Sequence, residues 1–214
     1  MMEKPCSVVV LISGNGSNLQ ALIDASQTEN FQVTAVISNN PEAFGLQRAA
    51  NAGIPTITID HRDFTDRISF DRALIARLEE LNPDLIVLAG FMRILSEEFV
   101  RRFAHRILNI HPSLLPLYPG TNTHQRALDA GDQEHGASVH FVTEELDGGP
   151  VIAHAAVPVS HDDTAASLQQ RVHVEEHRIY PQVVALFAAG RLKMHDGKAW
   201  LDNRELPRNG IRLE

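Results

Sequence analysis

The chain has 214 residues, 43% of them hydrophobic, which is typical of one globular domain with a substantial core. Its formal net charge is −8 and it has no basic stripe, which argues against a nucleic-acid partner because phosphate backbones require clustered Lys and Arg. The single Cys6 excludes a disulfide within the chain. The N-terminal apolar run, residues 8–12, is too short to span a membrane and is better interpreted as a strand than as a signal peptide, so we expect a cytoplasmic protein.

The first half of the chain alternates short apolar runs, which predict strands, with amphipathic segments, which predict helices. The predicted strands are 7–12, 32–38, 56–60, 85–89 and 107–111, and the predicted helices are 18–26, 44–52, 66–81 and 96–103. Ser17 and Gln20 form a capping-box pattern, and Gly53 with Pro55 follows a helix end. This alternation predicts an α/β fold with a doubly wound, mainly parallel sheet of the Rossmann-like type.

The pattern changes after His111. A loop rich in Pro and Gly is followed by a short helix, two β runs and a long helix, and the chain ends in a hairpin around Asp196-Gly197. The loop is predicted at 112–122, the short helix at 124–130, the two β runs at 137–143 and 151–157, the long helix at 164–188 and the hairpin at 192–201. The long helix is expected to be disturbed near Pro181. We therefore expect antiparallel additions in the C-terminal part of a single domain, 1–214, with halves of about 1–111 and 112–214.

The segment Ser13-Gly14-Asn15-Gly16-Ser17-Asn18 lies between the first strand and the first helix. Its glycines let backbone N–H groups approach an anion, and a helix N-terminus favours negative charge. Leu19 replaces the third glycine of a dinucleotide fingerprint, and the second strand ends in Asn39 and Asn40 rather than in an acidic residue. A phosphate monoester is therefore the favoured ligand, and an ordinary tight turn is the alternative.

Asn109 and His111 stand two residues apart at the end of the fifth predicted strand, so their side chains share one face. The carboxyl ends of strands in an open α/β sheet are where ligands bind. Asp147, followed by Gly148 and Gly149, is a candidate third member, although a solvated turn is the alternative and spacing alone does not bring it near His111.

Two rival sites are disfavoured. His173 and His177 match an H-x-x-E-H zinc pattern, but only 37 residues follow it, which leaves little room for a third ligand and a cleft. A hydrolytic triad of Ser113, His111 and Asp147 lacks the G-x-S-x-G turn of a nucleophile elbow. We therefore expect no metal.

Several segments together resemble the phosphoribosylglycinamide formyltransferases, folate-dependent enzymes of purine synthesis. The likeness covers essentially the whole chain, and its N-I-H-P-S-L-L-P and L-D-G-G-P motifs are shared with other enzymes that use formyl-folate. The G-N-G-S-N loop narrows the resemblance to the glycinamide enzymes. The segments that carry it are 9–20, 88–95, 109–120, 140–142, 146–150, 176–177, 190–192 and 200–201.

The resemblance implies transfer of a formyl group from 10-formyltetrahydrofolate, a co-substrate, to the amine of glycinamide ribonucleotide. It implies that Asn109 and His111 stabilise an oxyanion and that Asp147 assists proton transfer. The implied ribonucleotide-binding residues are Gly14, Asn15, Gly16, Ser17, Asn18, Arg67 and Glu176. The implied folate-binding residues are Met92, Arg93, Ile94, Leu95, Asn109, His140, Val142 and Asp147. His124 is a possible neighbour of the site.

Three related activities stay open as alternatives. A methionyl-tRNA formyltransferase is disfavoured because it carries a further C-terminal domain and needs a basic surface. A formyl-folate hydrolase would carry an extra N-terminal domain, and a non-catalytic folate-binding protein would not need all of Asn109, His111 and Asp147. The expected partners are the two small-molecule substrates, with no nucleic acid and no membrane, and the expected state is a monomer or weak homodimer.

Overall fold

The computed structural model describes residues 4–213 and contains two compact units, which meet in sequence between Leu108 and Asn109. This boundary lies three residues before the one predicted near residue 111. The organisation of residues 1–214 as a single domain stays a prediction.

The first unit is built from alternating strands and helices. Its strand order is β5-β4-β1-β2-β3, and the pairs β4–β1, β1–β2 and β2–β3 are parallel. Its elements are β1 (Cys6–Ile12), α1 (Ser17–Ala25), β2 (Phe31–Ser38), α2 (Phe44–Asn51), β3 (Thr56–Thr58), a 3-10 turn (His61–Asp63), α3 (Arg67–Leu81), β4 (Leu85–Leu88), α4 (Glu97–Arg102) and the start of β5 (Ile107–His111).

The strands β1, β2 and β4 of this unit are mostly buried, as helices on both faces of a parallel sheet require, whereas the edge strand β3 is exposed or half-buried. Residues 8–12 of β1 are fully buried. Side-chain caps fix two helix starts, because Asp66 accepts the N–H of Ser69 and Ser96 accepts that of Phe99. The 3-10 turn was not predicted, and its cap is the Asp60 carboxylate, which accepts the N–H of Arg62.

The second unit begins within β5 and combines antiparallel strands with one long helix. The order β11-β7-β6-β5 includes an antiparallel pair, β6–β7, and a parallel pair, β7–β11, and a separate antiparallel sheet has the order β10-β9-β8. Its other elements are α5 (Thr123–Ala130), β6 (Glu134–Phe141), β7 (Val151–Pro158), α6 (Ala165–Ala188), β8 (Leu192–His195), β9 (Lys198–Leu201), β10 (Arg204–Glu205) and β11 (Ile211–Arg212).

The predicted fold class is confirmed: a mainly parallel Rossmann-like sheet carries antiparallel additions toward the C-terminus. Helix α6 runs without interruption through Pro181, and the disturbance expected there stays a prediction. Buried Tyr180, Val183 and Val184 flank the proline, and their packing outweighs the loss of one backbone hydrogen bond. Within residues 4–213, no helix has both the length and the apolar character needed to cross a membrane.

Candidate active site

The glycine loop, residues 13–18, enters helix α1 of the first unit through Gly16. This residue is the N-cap and has a left-handed φ of 75°, so Ser17 is already helical and the predicted capping box is wrong. A Cβ added to Gly16 would lie 2.6 Å from the Cα of Gly45, so glycine is required both for the backbone angle and for the close approach to α2. No side chain of the described residues caps α1.

Helix α2 braces the glycine loop. The Gly45 N–H donates to the Gly14 carbonyl at 3.0 Å. The Arg48 guanidinium donates to the Asn15 carbonyl at 2.9 Å and to Asn15 Oδ1 at 3.0 Å, and it stacks over the Phe44 ring. The loop is thus held from the side while the start of α1 carries no side-chain cap, an arrangement that suits an anion. Neither Gly45 nor Arg48 belongs to a motif, so sequence reasoning missed both.

A second loop of the first unit, residues 90–96, carries four of the residues expected to bind folate. Met92 and Ile94 are exposed at 72% and 56%, and the Arg93 guanidinium lies over the Phe70 ring. The Met92 N–H donates to Ser13 Oγ at 2.8 Å, which joins this loop to the glycine loop. Leu95 is half-buried, and Arg67 is an exposed residue at the first position of α3.

The second unit brings Asn109, His111 and Asp147 into one cluster. The half-buried Asn109 is linked to the other two through His140, whose Nε2 lies 3.1 Å from Asn109 Nδ2 and 3.8 Å from Asp147 Oδ1. His111 Nδ1 lies 3.5 Å from Asp147 Oδ2, and the two side chains are only 6% and 7% exposed. The Gly120 N–H donates to the same Asp147 oxygen at 2.8 Å. Asp147 has a left-handed φ of 51°. The turn that places it also needs Gly149, because a Cβ there would lie 1.8 Å from the Phe141 carbonyl oxygen.

His140 orients the amide of Asn109. Burial lowers the pKa of His140 to about 4, so its ring is neutral at neutral pH. The Nδ1 atom is 2.9 Å from the Phe141 carbonyl, to which it donates, and this leaves Nε2 to accept from Asn109 Nδ2 at 3.1 Å. The Asn109 nitrogen is therefore fixed beside His140, with its second N–H available to another acceptor.

The loop after β5 contacts the other ring nitrogen of His111. His111 Nε2 lies 2.8 Å from the Tyr118 carbonyl, and Tyr118 has a left-handed φ of 54°. The Tyr118 hydroxyl donates to Asp132 Oδ2 at 2.7 Å, and this hydrogen bond raises the pKa of Tyr118. Both ring nitrogens of His111 thus face oxygen acceptors. Tyr118 was not predicted, and no spacing signal points to it.

His124 belongs to a histidine pair outside the cluster. Its Nδ1 is 3.1 Å from His135 Nε2, and the two rings meet edge to face. Burial, followed by the neighbouring His135, lowers the pKa of His124 to about 4. Burial also lowers the pKa of His135.

The remaining candidates lie on β6, α6 and their flanks. Val142 is half-buried directly after β6, and Glu176 is 4% exposed on α6. His173 and His177 stack one helical turn apart. Residues 4–213 contain no group of three or more His, Cys, Asp or Glu side chains with the geometry to hold a metal ion. Ser113 Oγ donates to the Leu117 carbonyl at 2.5 Å, which does not favour the triad.

Comparison with known proteins identifies the family. The family model described as formyl transferase matches residues 6–184. The chain belongs to the formyl transferase family. Phosphoribosylglycinamide formyltransferase from Escherichia coli (strain K12) is 57% identical over 206 residues, which cover 95% of this chain and 97% of that protein.

Two further similarities extend this finding. The human trifunctional purine biosynthetic protein adenosine-3 is 47% identical over 194 residues, which cover 90% of this chain and 19% of that protein. The structure of phosphoribosylglycinamide formyltransferase from Coxiella burnetii in complex with CHES has a TM-score of 0.94 and 50% identity, covering 98% of this chain and all of that chain. The resemblance expected from the motifs is confirmed over nearly the full length.

Proposed function

We propose that this formyl transferase moves the formyl group of 10-formyltetrahydrofolate to the amine of glycinamide ribonucleotide, giving formylglycinamide ribonucleotide and tetrahydrofolate in de novo purine synthesis. The observation that carries the proposal is the cluster of Asn109, His111 and Asp147, in a chain that is 57% identical to phosphoribosylglycinamide formyltransferase from Escherichia coli (strain K12). The hydrolase and the non-catalytic binding protein are not favoured.

The chemistry needs an amine to attack the formyl carbon, a stabilised tetrahedral oxyanion, and a proton moved from one nitrogen to the other. Asn109 offers the oxyanion the N–H that His140 does not take, and the His111 imidazole is the second group that stabilises the oxyanion in this proposal. Asp147 holds that imidazole and, through a water molecule, relays the proton. A direct attack forms no covalent intermediate with the enzyme.

In this proposal the glycine loop of the first unit supplies the contacts to the phosphate of the ribonucleotide. Backbone N–H groups at the start of α1 bind the phosphate, for which the left-handed Gly16 and the missing side-chain cap are the support. Glu176 binds the ribose hydroxyls. The set proposed for the ribonucleotide is Gly14, Asn15, Gly16, Ser17, Asn18, Arg67 and Glu176.

The folate is proposed to bind the loop 90–96 of the first unit. Exposed Met92 and Ile94 offer apolar surface to a pterin ring, and the backbone of this loop offers hydrogen bonds. The set proposed for the folate is Met92, Arg93, Ile94, Leu95, Asn109, His140, Val142 and Asp147.

We also propose that the reaction uses no metal and takes place in the cytoplasm. The enzyme needs no nucleic acid or membrane in this proposal, and it acts as a monomer or weak homodimer.

A spectrophotometric assay tests this function. Purified protein with 10-formyltetrahydrofolate and a chelator is followed with and without glycinamide ribonucleotide. Loss of formyl-folate only when the ribonucleotide is present supports the transferase and its independence of metal. Loss without the ribonucleotide indicates a hydrolase, and binding of folate without any loss indicates a non-catalytic protein.

A further inference from the structure

The Ser13 hydroxyl stands where two loops of the first unit meet. Ser13 Oγ accepts the N–H of Met92 at 2.8 Å and donates its own hydrogen to Asn39 Oδ1 at 2.5 Å. Ser13 opens the glycine loop, residues 13–18, and Met92 lies in the loop 90–96. One hydroxyl group therefore bonds directly to the backbone of one loop while it belongs to the other.

Asn39 anchors this hydroxyl from a third segment. It is 6% exposed at the end of β2, the position at which the sequence lacks the acidic residue of a dinucleotide fold. The His61 ring fixes it from the 3-10 turn, with Nδ1 2.8 Å from the Asn39 carbonyl. The Asn39 side chain thus holds the Ser13 hydroxyl between the two loops, because its amide oxygen accepts the Ser13 hydrogen.

The two hydrogen bonds of Ser13 run in one direction. The Met92 N–H donates to the Ser13 oxygen, and the Ser13 O–H donates to Asn39, so each bond polarises and strengthens the other. A displacement of either loop lengthens one of these two hydrogen bonds and thereby weakens the bond that holds the other loop. Ser13→Ala removes both bonds and adds no bulk.

We propose that Ser13 is a positioning residue that couples the binding of the two substrates. The inference rests on the proposed function, which assigns the ribonucleotide to residues 14–18 and the folate to residues 92–95. A ligand that holds one loop in its binding position also holds the other through Ser13, so the second ligand meets a loop that is already positioned. Each substrate therefore raises the affinity for the other.

Calorimetric titration of the full chain measures this coupling. Glycinamide ribonucleotide is titrated with and without saturating tetrahydrofolate, which has no formyl group and allows no transfer. The wild-type chain should bind glycinamide ribonucleotide at least about 5-fold more tightly in the presence of tetrahydrofolate than in its absence. In Ser13→Ala the factor should fall below about 2-fold, while Ser13→Thr, which keeps the hydroxyl, should retain it.

Two further variants make the test specific. Ser7→Ala is the matched control, because the Ser7 hydroxyl bonds Thr34 Oγ1 between β1 and β2 and touches neither loop, so the coupling should be unchanged. Asn39→Ala leaves Ser13 in place but removes its acceptor, and the coupling should fall toward that of Ser13→Ala. Asn39→Ala therefore still tests the coupling if the Ser13→Ala protein does not fold.

Absence of coupling in the wild-type chain, or full coupling in both Ser13→Ala and Asn39→Ala, would overturn the role of Ser13. Failure of the proposed function looks different, because the wild-type chain would then bind neither ligand or would show no turnover with the ribonucleotide. An active wild-type enzyme with additive binding energies rejects the coupling alone.

Discussion

The glycine loop of the first unit is formed mainly by backbone groups, whereas the cluster of Asn109, His111 and Asp147 in the second unit is formed by side chains. The loop relies on the backbone, since Gly16 packs against Gly45 and no side chain among residues 4–213 caps the start of α1. The cluster relies on side chains that are more than nine-tenths buried, such as His111 and Asp147. A backbone site is sensitive to added atoms, whereas a buried side-chain site is sensitive to the identity of each atom.

Asp147→Asn should break the cluster most severely. The change keeps the shape but removes the negative charge beside His111 Nδ1 and the proton acceptor. We expect turnover to fall at least about 10² to 10³-fold, while the affinity for both ligands changes little. Steady-state kinetics together with calorimetric binding measure the two quantities separately.

Glu145→Gln is the matched control for Asp147→Asn, because it neutralises an exposed carboxylate of the same turn. Its turnover should stay close to that of the wild-type chain. Near wild-type turnover in Asp147→Asn itself would reject the proposed role of that carboxylate.

Gly16→Ala should damage the loop selectively. The added Cβ meets the Gly45 backbone and displaces the N–H groups proposed to bind the phosphate. Because hydrogen bonds to charged groups are worth about 1.5–3 kcal/mol, ribonucleotide affinity should fall about 10- to 100-fold, with folate affinity little changed. Titration calorimetry with each ligand alone measures both.

Gly53→Ala controls for backbone strain. Gly53 also has a left-handed φ, of 69°, but a Cβ there meets nothing within 4 Å. Gly53→Ala should lose about 1–2 kcal/mol of unfolding free energy from the backbone angle alone, and Gly16→Ala should lose more because its Cβ also meets the Gly45 backbone. Only Gly16→Ala should lose ribonucleotide affinity. Equal losses of affinity for the two ligands in a folded Gly16→Ala protein would contradict the phosphate assignment.

His140→Phe sharpens the account of how Asn109 is oriented. Phenylalanine fills the buried space but offers no acceptor to Asn109 Nδ2. A neutral hydrogen bond contributes about 0.5–1.5 kcal/mol, so turnover should fall by up to about 10-fold, much less than in Asp147→Asn. His154→Phe, on β7, is the control, and an unchanged turnover in His140→Phe would show that Asn109 needs no such partner.

The expected effect that lies furthest from catalysis is a pH dependence of stability in the second unit. The pKa values of His124 and His140 lie at about 4 in the folded chain, below the usual 6.5 of the unfolded chain. The unfolded state therefore binds more protons between these values, and the free energy of unfolding should fall as pH drops from about 6.5 to about 4.

His124→Asn should make this slope shallower, by less than the ~1.4 kcal/mol per pH unit that one full proton produces. Urea unfolding at several pH values measures the slope. The control is His161→Asn, because the His161 side chain is fully exposed. A slope as steep in His124→Asn as in the wild-type chain would show that His124 does not contribute.

The sequence predicts those features of the molecule that depend on local periodicity. The buried runs of β1 and β4 are local signals, and so is the period of two that puts Asn109 and His111 on one face of β5. The structure connects these two residues through His140 and Asp147. Asp147 reaches that cluster through the chain's tertiary folding, which spacing does not encode.

The features missed by the sequence depend on contacts between distant segments. Tyr118 is bonded through its carbonyl, which carries no residue-specific signal, and Arg48 braces the glycine loop from 33 residues away. The capping box of Ser17 fails because Gly16 takes the N-cap position in a left-handed conformation. Local rules thus locate the strand ends, whereas the partners that orient their side chains need the structure.

Tracing the formyl carbon tests the central claim most directly. The wild-type chain is incubated with 10-formyltetrahydrofolate carrying ¹³C in the formyl group and with glycinamide ribonucleotide, and the product is examined by NMR. The account predicts that the label appears as a formamide on the ribonucleotide amine in proportion to the tetrahydrofolate released. Label found as free formate, with the ribonucleotide unmodified, would contradict it.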